Sequence, residues 1–422
     1  MPLRLPTSSP VFLIAAVCTA QVLAQLGAFT FFALLPTFFQ EWGLSHSQAG
    51  ILNGIIFGAY ALIVPFVVPL TDRIDPRRIY ICAVVLTTFS HLGMAFIADG
   101  FWDGFVFRAL AGIGWGGTYM VGLKALADLV EGPTQSRAVA FHAASIGIGG
   151  SLSFVLAGWA ADSVSWQTAF QISAAGSFLA LLVMAFLVPR RTPVPLDDQG
   201  WLSTFIRALK NKSAIAYSLG YLVHTWEMFT LRSWVVTFLV FTAAQEGGPP
   251  NFLIPTVIAM LMELMGTASS VFGNEVAIRV GRRRWILMVM FASMAMGAIV
   301  GFSAGAGYGV AATICIIYNV LIYADSASLT AGAVGTAEPG RRGATLAVHG
   351  MLGYGGGFVG PLFLGVILDV LGGETVMNWG IAFAHVSVIM VIGPLAIKLL
   401  KPGELPGDCL TSAPMGQISV IA

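Results

Sequence analysis

Charge is what this chain has least of. Only 10% of its 422 residues are Asp, Glu, Lys or Arg, where a soluble domain carries about a quarter. With 57% hydrophobic residues and a mean hydropathy of +0.84, a soluble globular protein is excluded and an integral membrane protein is expected. Cysteine is scarce as well: Cys18, Cys82, Cys315 and Cys409 are scattered, with no CxxC or Cys/His spacing. That pattern indicates neither a disulfide framework nor a metal site. No G-x-x-x-x-G-K-[ST] phosphate loop occurs, which argues against a primary pump. No loop carries a catalytic motif, so no enzyme and no cofactor are expected, and no nucleic-acid partner. The apolar runs are full length, so the first is not the short core of a cleaved signal peptide.

What is present is a series of apolar runs, each long enough to cross a bilayer as a helix. Twelve can be drawn, at 10–39, 47–69, 79–98, 102–128, 136–161, 166–189, 213–241, 250–272, 285–304, 308–331, 343–369 and 376–399. The positive charges fall between alternate pairs of runs and at the two ends, and the intervening connections carry none. This is the positive-inside pattern, and it places both termini in the cytoplasm. Only Arg108 and Arg232 depart from it, because both lie inside runs. The longest internal connection, 190–212, is charged and contains proline. It divides the chain into 1–189 and 213–399, with a tail at 400–422 that is expected to be unstructured.

The two parts repeat. At an offset of 206, Arg73, Arg77 and Arg78 fall on Arg279, Arg283 and Arg284; at 207, His142, Gly149, Gly150, Gly158 and Asp162 fall on His349, Gly356, Gly357, Gly365 and Asp369. Both parts start on the same side, so the repeat is parallel, with its axis along the membrane normal. The expected fold is therefore all-α, with twelve transmembrane helices in two six-helix bundles.

The stretch Tyr221–Val236, YLVHTWEMFTLRSWVV, holds His224, Glu227 and Arg232 within one span. Ionisable groups in hydrocarbon are costly and usually face a bundle interior or a wet cavity. His224 and Glu227 share a helix face, and Arg232 returns close to it. The face either lines a pathway or holds an internal ion pair that keeps helices in register.

The chain resembles the major facilitator superfamily. The resemblance rests on the twelve runs, the parallel repeat and two short motifs. Asp72-Arg73-Ile74-Asp75-Pro76-Arg77-Arg78 looks like the family's loop between helices 2 and 3, although Val68 replaces its leading glycine and Asp75-Pro76 replaces a glycine and an arginine. The resemblance implies that Asp72, Arg73 and Arg77 form a cytoplasmic latch. Arg108-Ala109-Leu110-Ala111-Gly112-Ile113-Gly114 resembles an Arg-x-x-x-Gly-x-Gly motif carried by many proton-coupled members. Arg108 would bind an anion or partner an acid there, or bond structurally to neighbouring backbone. Drug antiporters of this fold carry Gly-Pro in helix 5. Here the pair is Gly360-Pro361 in helix 11, which favours uptake over drug efflux. Helix 7 is similar to members loosely described as nitrate/nitrite or cyanate permeases, although this chain has no arginine in helix 2 and Glu263 in helix 8. Some magnetosome-associated members are similar at the same level.

The resemblance also implies that helices 1, 4, 7 and 10 line a central cavity. The lining candidates are then Gln21, Gln25, Arg108, His224, Glu227, Arg232 and Asp325. Each glutamine could equally be an ordinary interhelical hydrogen bond. Burial disfavours a charged acid unless a cation offsets it, so Glu227 or Asp325 is the candidate proton carrier and His224 a relay. His142 and His349 form a candidate symmetric gate pair. The expected function is secondary transport, in a bacterial inner membrane and as a monomer, by rocking of the two halves, with proton-coupled uptake of a small anion. The alternatives are a divalent metal such as iron, which the same acids and histidines would suit, and a non-transporting sensor or scaffold.

Overall fold

The structure is a computed structural model that describes residues 9–71, 73–130, 133–191, 201–249, 253–338, 341–405 and 408. Ten helices among these residues are long and apolar enough to cross a membrane. Two further crossings are made of shorter pieces, which gives twelve. We number the crossings in chain order. α1 is Pro10–Gln25 followed by Thr30–Ala33 and Leu35–Glu41; α2 is His46–Leu70; α3 is Pro76–Phe96. α4 is Phe101–Gly116 and Tyr119–Leu129; α5 is Pro133–Ser163; α6 is Trp166–Leu187. A connecting helix, Trp201–Lys210, leads to α7, Lys212–Ala244. α8 is Pro255–Val280, and α9 is Arg282–Val300 with the 3-10 turn Gly301–Ala306. α10 is Tyr308–Tyr323 and Ser326–Gly335; α11 is Arg342–Val370; α12 is Val376–Met390 and Ile392–Leu400.

The breaks follow the repeat. α4 is interrupted at Gly117–Thr118 and α10 at Ala324–Asp325, the same offset of 207 that relates His142 to His349. Gly116 and Gly117 are weak helix formers, and Asp325 competes with the helix through its own backbone bonding preferences. One repeated bend is thus produced by different residues in the two sets of six.

α1–α6 and α7–α12 meet along two antiparallel seams, α2 on α11 and α5 on α8. In the first seam, Gly50, Gly54 and Gly58 recur every four residues on one face of α2. A Cβ at Gly50 would lie 2.6 Å from Pro361 O, and Gly54 faces the backbone and ring of Phe358 just as closely. Small residues of this kind let two helix backbones approach. Where the seam ends, away from the basic loops, Asp369 of α11 accepts from the first backbone N–H groups of α2, His46 at 2.9 Å and Ser47 at 2.8 Å. At the basic end the second piece of α4 packs on α1, α3 and α5, and the second piece of α10 on α7, α8, α9 and α11. The glycine contacts and the Asp369 bonds of the α2–α11 seam lie toward the end remote from the basic loops.

Each expected latch residue has a definite place except Asp72, which lies outside the described residues. Arg73 sits in the turn between α2 and α3. Arg77 donates to Met184 O at 2.8 Å and to Ala185 O, both near the end of α6. Asp75 caps α3 through Arg77 N at 3.0 Å and accepts from Arg191 N at 3.3 Å. Most of the expected linker and tail lies outside the described residues, at 192–200, 406–407 and 409–422. Where the tail is described, it is docked rather than unstructured. Tyr217 donates to Gly403 O at 2.9 Å, and Arg282 donates twice to Asp408, each bond 3.1 Å, with both side chains buried. Arg282 also reaches Asn274 Oδ1 and Ser328 O. A guanidinium at the α8–α9 turn thus holds Asp408 in place, which the sequence of the tail did not signal.

Removing one partner of a buried ion pair costs about 3–5 kcal/mol. Asp408→Asn is therefore expected to lower the thermal unfolding temperature in detergent by several degrees and to expose 402–408 to protease. An unchanged melting temperature and cleavage pattern would refute the docking.

Candidate functional site

α7 runs unbroken through the bundle, and its three ionisable groups point to three different neighbours. Arg232 turns to α8, donating to Glu263 through Nε at 2.6 Å and Nη2 at 2.9 Å. Two parallel bonds of this kind are the strong form of a charge pair. Arg232 also donates to the Tyr323 hydroxyl, which in turn donates to Glu263 at 3.1 Å. Its guanidinium lies 4.6 Å above the Phe29 ring, so an α1 aromatic covers a charge of α7. The charge of Arg232, a pathway candidate in the sequence, is met locally by an acid, a hydroxyl and aromatic rings.

His224 turns to the break of α10. Its Nδ1 lies 2.9 Å from Asp325 Oδ1, off the alignment of a hydrogen bond, and its Nε2 is buried without a hydrogen-bond partner. The His224 ring stacks on Tyr221 at 5.4 Å, and Tyr221 stacks on His349 at 4.1 Å. His349 is held by Ser218 and Thr330, each at 3.2 Å. Asp325, His224, Tyr221 and His349 thus form one continuous row between α10, α7 and α11.

Glu227 turns the other way, between α9 and α10. Tyr318 donates to it at 2.8 Å and Ser293 at 3.1 Å. It is 1% exposed, and no described cation forms an ion pair with it. In the first six crossings Gln21 occupies the corresponding place and accepts from Tyr80 of α3 at 3.2 Å. Both residues thus bond to the third helix of their own set, through partners that the offset does not match, and the acid is confined to one copy.

Arg108 is 4% exposed. It donates to Leu52 O and, at 3.5 Å, to Asn53 O of α2, and lies 4.3 Å over the Phe31 ring. No carboxylate among the described residues pairs with it. Asn53 connects it to the other set, because its Nδ2 donates to Ser233 O of α7 at 3.4 Å. Gln25 makes no hydrogen bond through either side-chain atom. It lines a small cavity with His91 and Trp115, whose Nε2 and Nε1 are also without partners.

The gate candidates do not touch each other. His142 reaches Tyr119 O at 3.0 Å and stacks on that ring at 5.4 Å, while His349 reaches α7 and α10. Each ties α5 or α11 to the second piece of its own broken helix.

Sequence reasoning missed the aromatic cluster where the two sets meet. Phe57 of α2 lies 3.8 Å from Phe229 of α7, and Tyr60 lies 4.0 Å from Tyr354 of α11 and 5.4 Å from Trp115 of α4. The signal was available: Phe57 and Tyr60 flank the last glycine of the α2 stripe, and Tyr354 sits among the glycines of α11.

A model of the Major Facilitator Superfamily matches residues 17–361. Among curated proteins, the chain is 25% identical over 243 residues to "Protein spinster homolog 3" of Danio rerio, covering 56% of this chain and 49% of that one. It is 28% identical over 160 residues to the "Probable 4-methylmuconolactone transporter" of Cupriavidus pinatubonensis, covering 36% and 35%. The chain spans about half the length, or less, of these curated relatives. Among solved structures, a bacterial homolog of the human lysosomal transporter spinster, in an inward-facing and unoccupied conformation, superposes with a TM-score of 0.71 at 15% identity, covering 94% of this chain and 95% of that one. At that identity the likeness concerns the fold.

The Arg232–Glu263 pair can be weighed against its parts. Arg232→Gln or Glu263→Gln alone strands a buried charge, and each is expected to cost about 3–5 kcal/mol. The double variant should lose less than the sum of the two, by about 0.5–3 kcal/mol, in a thermal-unfolding cycle. Simple additivity would show that the pair does not act as a clamp.

Proposed function

This chain belongs to the Major Facilitator Superfamily, and from that premise we propose that it carries a small organic anion across the membrane, coupled to protons, by rocking of residues 1–189 against 213–399. One observation carries the anion assignment: Arg108 is buried without an acid, while Arg232 is neutralised by Glu263. The positive charge left over lies near the junction of α1, α2 and α4, and a guanidinium without an acid partner suits a carboxylate or another planar anion. The aromatic rings of Phe57, Tyr60, Trp115, Phe229 and Tyr354 at the junction of the halves favour an organic body over an inorganic ion. A relative described as a probable 4-methylmuconolactone transporter is in keeping with a small organic solute.

Glu227 is the proton carrier in this reading. Its oxygens are met by two neutral hydroxyls rather than a cation, so gain and loss of a proton need no partner to be displaced. Asp325 and His224 form a second acid–imidazole pair, placed at the α10 bend where a change of charge would act on helix geometry. With the basic loops on the cytoplasmic side, the Asp369 end of the α2–α11 seam lies at the outer face in this reading. A divalent-cation carrier would need a ligand set, and among the described residues no three His, Cys, Asp or Glu side chains converge.

Thermal unfolding of the purified protein against small organic carboxylates, inorganic anions and divalent metals is the direct test. A ligand at a hundred times its Kd stabilises the folded state by about 2.7 kcal/mol. Stabilisation by a carboxylate that is lost in Arg108→Gln is the expected result. Stabilisation by metals alone, lost in Asp325→Asn, would replace the anion with a cation, and no stabilisation across the panel would favour a scaffold. In proteoliposomes, Glu227→Gln should abolish uptake driven by a pH gradient while leaving exchange of substrate intact; gradient-driven uptake at the wild-type rate would remove Glu227 from the coupling.

A further inference from the structure

The connecting helix Trp201–Lys210 plays no part in the transport site, yet it has an amphipathic surface that the protein leaves uncovered. Ala208 is buried, and the helix packs on α11 and on the start of α7. On the outward side Ile206 is 43% exposed and Leu209 42% exposed, and Arg207 and Lys210 are exposed beside them. Residues three and four apart share a helix face, so Ile206, Leu209 and Lys210 stand together with Arg207 at their edge. From Trp201 to Lys212 the chain has three basic residues and no acid. The helix also lies on the side of the molecule that carries the basic loops.

We propose that Trp201–Lys210 lies in the headgroup layer of an anionic leaflet, with acidic phospholipid as its ligand. An apolar stripe bordered by Lys and Arg is the surface that settles in the plane of a bilayer interface. Anionic lipid attracts juxtamembrane basic residues on that side. A surface facing water would gain nothing from Ile206 and Leu209, and a protein partner would not explain the absence of acids.

The grip reaches the transport helices directly. Asn211, one residue beyond the helix, caps α7 by accepting from Ala214 N at 3.1 Å and donates to Thr336 O at the end of α10 at 2.8 Å. Lipid that holds the connecting helix therefore holds the basic ends of α7, α10 and α11 together.

The test is hydrogen exchange of the full-length protein in nanodiscs of phosphatidylglycerol and of phosphatidylcholine. Amides of 201–212 should exchange severalfold more slowly in phosphatidylglycerol, and Arg207→Gln/Lys210→Gln should remove the difference while amides of α9 stay unchanged. Ile206→Ser/Leu209→Ser keeps the charges and should speed exchange of the helix in both lipids. All four side chains are exposed, so the melting temperature should match wild type and confirm folding. Equal exchange of 201–212 in the two lipids, or a lipid difference that survives the loss of both charges, would overturn the proposal.

Discussion

The structure depends on how closely α2 and α11 approach. Three glycines at fourfold spacing bring the α2 backbone against Pro361 and Phe358, and the aromatic cluster, the Asp369 cap and the Asn53–Ser233 bond all follow from that approach. Dispersion acts over short range, so side-chain complementarity along this seam exists only while the backbones stay close. α11 is also held to α7, where Trp234 donates to Pro361 O at 3.0 Å. One helix therefore serves as the seam and as a wall of the site.

With no water to screen them, the buried charges must be answered by the protein, and they are answered unequally. Arg232 has an acid, a hydroxyl and an aromatic face. Arg108 has carbonyls and aromatic faces. Glu227 has hydroxyls, and Asp325 has a histidine. The first is a finished interaction with little to gain from a ligand or a proton. The others retain capacity, which is why the proposed transport site is built on them rather than on Arg232.

The number of crossings, the parallel repeat and the membrane class were legible because each rests on a pattern along the chain: apolar length, alternation of basic loops and a fixed offset. The match of Thr118 to Asp325 at the two bends extends that offset into a feature the sequence reading did not use. Partners were far less legible. His224, Glu227 and Arg232 lie within nine residues, and their spacing suggested one shared face, but three neighbouring helices draw them apart. The choice among α8, α9 and α10 depends on Glu263, Ser293, Tyr318 and Asp325, residues remote in sequence whose orientation no periodicity on α7 encodes. The docking of Asp408 was missed for a similar reason, since it becomes meaningful only beside Arg282.

The Asp369 cap gives the seam an electrostatic character. The first amides of a helix carry partial positive charge and need acceptors, and α2 obtains two of them from a carboxylate on the opposite half. Separating the halves at that end would leave α2 with bare amides and Asp369 without its donors, whatever happens to the packing below. Contact between the halves at that end thus supplies acceptors for two amides that the Ser45–Gln48 capping box of α2 leaves over.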